Sequence, residues 1–149
     1  MAKISAQQRA ANQERYDAVI LDTFFNEGHL AVTLGAIAKK LGIQRSTLQS
    51  YYPNGPMAAT KGKIFPVVIQ KLDFTSAEEL RASWVTAMSD MKFRYVMELL
   101  IATATEKKNA QASAGLKRLY DLVSDSTGAS YSLTDELLGI TIRMLMLDE

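Results

Sequence analysis

The run Arg45-Ser46-Thr47-Leu48-Gln49-Ser50 gathers the side chains of this sequence best suited to recognition. A guanidinium, hydroxyls and a carboxamide are the groups that meet base edges in a major groove. On a helix with Leu48 turned inward, Arg45, Ser46, Thr47, Gln49 and Ser50 face out as candidate base readers. Gln49 has the geometry to pair bidentately with adenine. The polar outer face of any helical hairpin would look similar, so the surroundings of the run have to decide. No comparable constellation supports catalysis. The one histidine, His29, stands in a loop without a recognisable nucleophile partner, and there is no cysteine. No metal-ligand cluster and no glycine-rich phosphate loop is present, so no enzyme, metal or cofactor is expected.

The elements that must hold this face are legible just upstream. Leu34, Ile37, Ala38 and Leu41 follow the stripe of a half-buried helix. Ala38 is small where a second helix would cross, and Gly42 stands where a helix closes in the left-handed conformation. Ile43 then packs back, Leu48 anchors the next helix, and Tyr52 follows a turn later. Thr33 is placed to cap the first of these helices, and a helix start also suits a phosphate. Upstream again, residues 1–28 read as one long helix with Tyr16, Val19, Ile20, Leu21, Phe24 and Phe25 inward and Gly28 at its end. Its polar start, with Lys3, Arg9 and Arg15, is either a solvated arm or a phosphate-binding extension.

Over residues 16–53 this order resembles the DNA-binding domain of the TetR family of bacterial transcriptional regulators. The resemblance rests on Ile20, Phe24, Gly28, Thr33, Ile37-Ala38, Leu41-Gly42-Ile43, Thr47-Leu48 and Tyr51-Tyr52-Pro53. It implies an all-α protein: a three-helix head whose third helix enters the major groove, and a helical body that dimerises and often holds a small ligand. Phosphate contacts are then expected from Thr33, Lys39, Tyr51, Lys61 and Lys63. The sequence departs from the pattern at Gln44, a poorer cap than the usual small hydroxyl residue, at Gln49, where an aromatic is common, and at Gly55, where a lysine is common. The domain division expected is a head over 1–53, a connector and linking helix over 54–72, and a dimerisation and possible ligand domain over 73–149.

Charge agrees with a DNA-facing head. Residues 1–71 hold nine Lys/Arg against four Asp/Glu, and 72–149 hold eight against twelve, beneath a net charge of only +1. No apolar run approaches the ~20 residues that span a bilayer, and the N-terminus lacks the core of a signal peptide. A cytoplasmic protein is expected.

The remainder reads as helices. Pro66 should sit in a first turn. Ser76 with Glu79 forms a capping box opening a helix over 77–91, with the pattern continuing to about Thr105. The run ending at Gly115 reads as loop or weak helix, followed by a helix closed near Gly128. Ser132 or Thr134 should cap the last helix, which is apolar on more than one face. A second copy is the economical cover, so a homodimer is expected through Leu119, Val123, Leu137, Leu138, Ile140, Met144 and Leu145. Trp84, Met88, Met91 and Met97 are either plain core or the lining of a pocket for a small apolar effector. These readings converge on a dimeric repressor that binds double-stranded DNA. A helical interaction module that no longer reads DNA, and a DNA-binding regulator without a ligand, stand as alternatives.

Overall fold

The computed structural model describes residues 3–106 and 109–147, all helix, turn and loop. The chain divides between Lys61 and Gly62 into two compact units. In the first, α1 runs Ala6–Glu27. Ser5 caps it by accepting the Gln8 amide at 3.0 Å, and Gly28 ends it at φ 89°. After a turn of 3-10 helix at His29–Ala31 come α2, Leu34–Leu41, and α3, Arg45–Tyr51. Tyr16, Ile20 and Phe24 of α1 are buried with Ile37 and Ala38 of α2 and Leu48, Tyr51 and Tyr52 at α3. A 3-10 segment, Pro56–Thr60, also belongs to this unit and buries Ala59 and Thr60. The connector expected over 54–72 therefore contains the division between the units, with its first half in the head.

The second unit holds α4, Phe65–Gln70, α5, Ala77–Ala87, α6, Met91–Thr103, α7, Ala110–Thr127, and α8, Ser132–Leu147. Pro66 occupies the first turn of α4, where a missing N–H costs nothing. Ser76 accepts the Glu79 amide at 3.1 Å and opens α5 as expected. That helix stops at Ala87 instead of running to 91, because Asp90 caps a new one by accepting the amides of Lys92 at 2.9 Å and Phe93 at 3.2 Å. Nor does a loop or weak helix end at Gly115. Asn109 caps α7 by accepting the Ala112 amide at 3.0 Å, and the helix passes through Gly115 to Gly128, which closes it at φ 69°. An alanine-rich start supplies the helix propensity that outweighs one glycine. Thr134 is no cap, since its side chain lies in the interior.

Leu80, Trp84, Met88, Phe93, Val96, Met97, Leu119, Val123, Leu133 and Leu137 are buried apolar side chains of this unit's core. Trp84 stacks edge-on against Phe93 at 5.3 Å, and its indole N–H donates to the Thr141 hydroxyl at 2.8 Å.

Candidate nucleic-acid interface

Two local devices aim α3. At the end of α2, the Gly42 amide donates to Lys39 O at 3.3 Å and the Ile43 amide to Ala38 O at 3.1 Å. That pair of bonds is the Schellman arrangement, and Gly42 adopts φ 67°, a conformation a Cβ would oppose. The reversal brings Leu48 inward to 0% exposure. With Leu48 inside, Arg45, Ser46, Thr47, Gln49 and Ser50 are all exposed on one short helix. The Ser50 hydroxyl folds back onto Thr47 O at 2.6 Å. Gln44 makes no side-chain cap bond, as its residue type implied.

The second device is the docking of α3 on α1. Tyr51 packs edge-on against Tyr16 with ring centroids 4.9 Å apart. The Tyr52 hydroxyl donates to Asp17 at 2.5 Å. Burial, then the Asp17 carboxylate, push the Tyr52 hydroxyl well above its ordinary range, so it stays protonated as the donor. On the other side Lys40 pairs with Glu27 and also donates to Thr23 at 3.1 Å, tying α2 to α1.

The residues expected on phosphates are placed unequally. Thr33 is exposed and caps α2 by accepting the Ala36 amide at 3.1 Å. Lys39 is exposed, whereas its neighbour Lys40 is committed to the head itself. Tyr51 is only 9% exposed, and its hydroxyl accepts from the Asn12 amide at 3.1 Å. It would reach a phosphate only by giving up that bond. Lys61 and Lys63 are exposed, one in each unit.

The polar start carrying Arg9, expected as a solvated arm or a phosphate-binding extension, lies within α1, and its Arg9 donates to Ser50 O at 3.0 Å. Two features of the sequence point there: Ser5 is an N-cap residue type ahead of the helical pattern, and Arg9, Asn12, Tyr16 and Ile20 continue one helical face.

In the second unit a cavity of about 390 Å³ opens between α6, α7 and α8, lined by Met97, Leu100, Leu116, Leu138, Thr141 and Ile142 among others. Of the four residues expected to line a pocket, Met97 does. Trp84 and Met88 are closed into the core at 0% exposure, and Met91 is 52% exposed at the surface. The residues expected at a dimer interface also divide. Leu119 and Val123 of α7 and Leu137 of α8 are already buried within one chain. Leu138, Ile140, Met144 and Leu145 are half-buried, and the same helix exposes Ile142 and Met146. Among the described residues no group of three or more His, Cys, Asp or Glu is positioned to hold a metal. No helix there is long and apolar enough to cross a membrane.

Residues 61–145, more than half of the chain, match the family model of the tetracycline repressor LuxT C-terminal domain. No curated protein matches the sequence.

Proposed function

The chain belongs to the tetracycline-repressor family through its LuxT-type C-terminal domain, and from that premise we propose a sequence-specific DNA-binding regulator, acting as a homodimeric repressor. The observation that carries the reading is the outward face of α3. Arg45, Ser46, Thr47, Gln49 and Ser50 are exposed together on a helix seated by buried Leu48 behind a Schellman turn. Such a face meets base edges, while Thr33, Lys39, Lys61 and Lys63 supply phosphate contacts and salt dependence. Two copies joined through their bodies would carry two such faces to half-sites about one DNA turn apart. Leu138, Ile140, Met144 and Leu145, with exposed Ile142 and Met146, are the surface offered to the second copy. Leu119, Val123 and Leu137 support that surface from inside.

The test is anisotropy of the protein on a duplex from upstream of its own gene and on genomic fragments selected by pulldown, each against a scrambled duplex at physiological salt. A preference of ~10³-fold or more is expected for at least one fragment. Equal binding to every fragment and its scramble would refute DNA reading and leave the interaction-module alternative. Met146→Glu should lower the mass seen by light scattering from dimer to monomer. The cavity between α6, α7 and α8 is the proposed seat of a small apolar effector. A ligand bound there raises the melting temperature, and a regulator without an effector would give no such rise across a screen.

A further inference from the structure

The helix proposed to read DNA has little of its own to hold it. α3 has seven residues, fewer than the ~12–15 at which isolated helices become even marginally stable in water. Its cap residue Gln44 makes no side-chain bond to it. Leu48 seats its middle, and its last turn is held by the Tyr52 amide and by side chains of α1. The Tyr52 amide serves the carbonyls of Leu48 and Gln49 at 3.2 Å each. The Ser50 carbonyl is taken by Arg9, whose guanidinium donates to it at 3.0 Å. The same guanidinium lies 4.1 Å from the centre of the Tyr51 ring, and Asn12, one turn along α1, holds the Tyr51 hydroxyl at 3.1 Å.

We infer that Arg9 is a positioning residue for DNA reading, its guanidinium clamping the last turn of α3 by bonding Ser50 O while stacking on Tyr51. The inference rests on α3 being the reading helix of the proposed function. A planar guanidinium does both jobs at once, since it donates in its plane and stacks by its face, which an ammonium cannot do. A cation at this end also complements the partial negative charge of a helix C-terminus. Arg9 is exposed, so a rival role as a direct phosphate contact makes different forecasts.

Amide hydrogen exchange in the DNA-free protein separates the two. Arg9→Lys keeps the charge and loses the stacked fork, and Arg9→Ala removes both. In each, the amides of Leu48 to Tyr52 should exchange roughly three- to tenfold faster, with the amides of α2 unchanged. In Arg9→Lys the preference for the specific duplex should fall by a similar factor, with the salt slope of binding retained. Unchanged α3 exchange in Arg9→Ala, with uniformly weaker binding and a salt slope smaller by about one, would make Arg9 a phosphate contact and overturn the clamp. Faster exchange with an intact preference would overturn its part in reading. If the wild type prefers no duplex, the proposed function fails by itself, and the exchange comparison still decides whether Arg9 holds α3.

Discussion

Thr134 and Thr141 lie on the buried side of α8, 0% and 1% exposed, yet the same substitution should move stability in opposite directions at the two. Valine matches threonine closely in shape and replaces the hydroxyl with a methyl group. The Thr141 hydroxyl accepts from the Trp84 indole at 2.8 Å and donates to Leu137 O at 2.9 Å. Thr141→Val strands the N–H of a fully buried tryptophan, which costs about 1–3 kcal/mol. The Thr134 hydroxyl is buried with no hydrogen-bond partner among the described residues. Thr134→Val removes a desolvated polar atom and should gain about 1 kcal/mol. Urea unfolding followed by circular dichroism, at one fixed protomer concentration, reads both. With slopes of about 1–3 kcal/mol/M the midpoints should part by roughly 1 M or more. Adding Trp84→Phe should shrink the cost of Thr141→Val, because no donor is left to strand. If Thr134→Val proves as harmful as Thr141→Val, hydrogen-bond pairing is not what distinguishes these sites, and the reasoning fails.

Other perturbations test the head and the body separately. Gly42→Ala meets no neighbouring atom within 4 Å, so its cost is the left-handed backbone alone, about 1 kcal/mol on head stability; Gly42→Asn should recover part of it, and equal thermal shifts would contradict this. Gln44→Ser gives α3 the cap it lacks and should stabilise the head by about 0.5–1 kcal/mol in thermal melts; no gain would mean that the start of α3 is already satisfied. Asp90 responds to pH. The Lys71 ammonium, and behind it the amides of Phe93 and Lys92, hold its carboxyl below the usual carboxylate range. A carboxyl lowered in the folded state stabilises above its unfolded value, ~3.9, and that contribution fades as pH falls through the folded value. Asp90→Asn should therefore be destabilised at neutral pH and converge on the wild type in acid. A gap that persists at low pH would assign the cost to lost capping geometry instead of charge.

What could be read in advance was local. Thr33, Gly42, Ser76 and Pro66 act within one turn of their own positions, through a cap, a left-handed residue or a missing N–H, so residue type suffices to place them. The outward set at Arg45 to Ser50 is of the same kind, since one inward leucine on a short helix decides which neighbours face out. Misreadings came where a local preference competed with a neighbour. Asp90 cut short a helix that the apolar pattern carried onward, because a cap offers its amides a partner that hydrophobic spacing does not register. Gly115 looked like a stop, but Asn109 and the alanines after it sustain α7 across the glycine.

The sequence by itself determined the helical class, the helix-turn-helix and the residues on its outer face, because these depend on 3.6-residue periodicity and on backbone preferences of single residues. Only the tertiary structure decided which apolar side chains were already spent inside one chain. Leu119, Val123 and Leu137 are buried on α7 and α8, Trp84 and Met88 lie in the core, and the cavity opens instead beside Leu116, Leu138 and Ile142. It also decided that Arg9 belongs to the end of α3, 41 residues away. Periodicity marks a side chain as inward or outward on its own helix, but which helix lies opposite is set by how the whole chain packs.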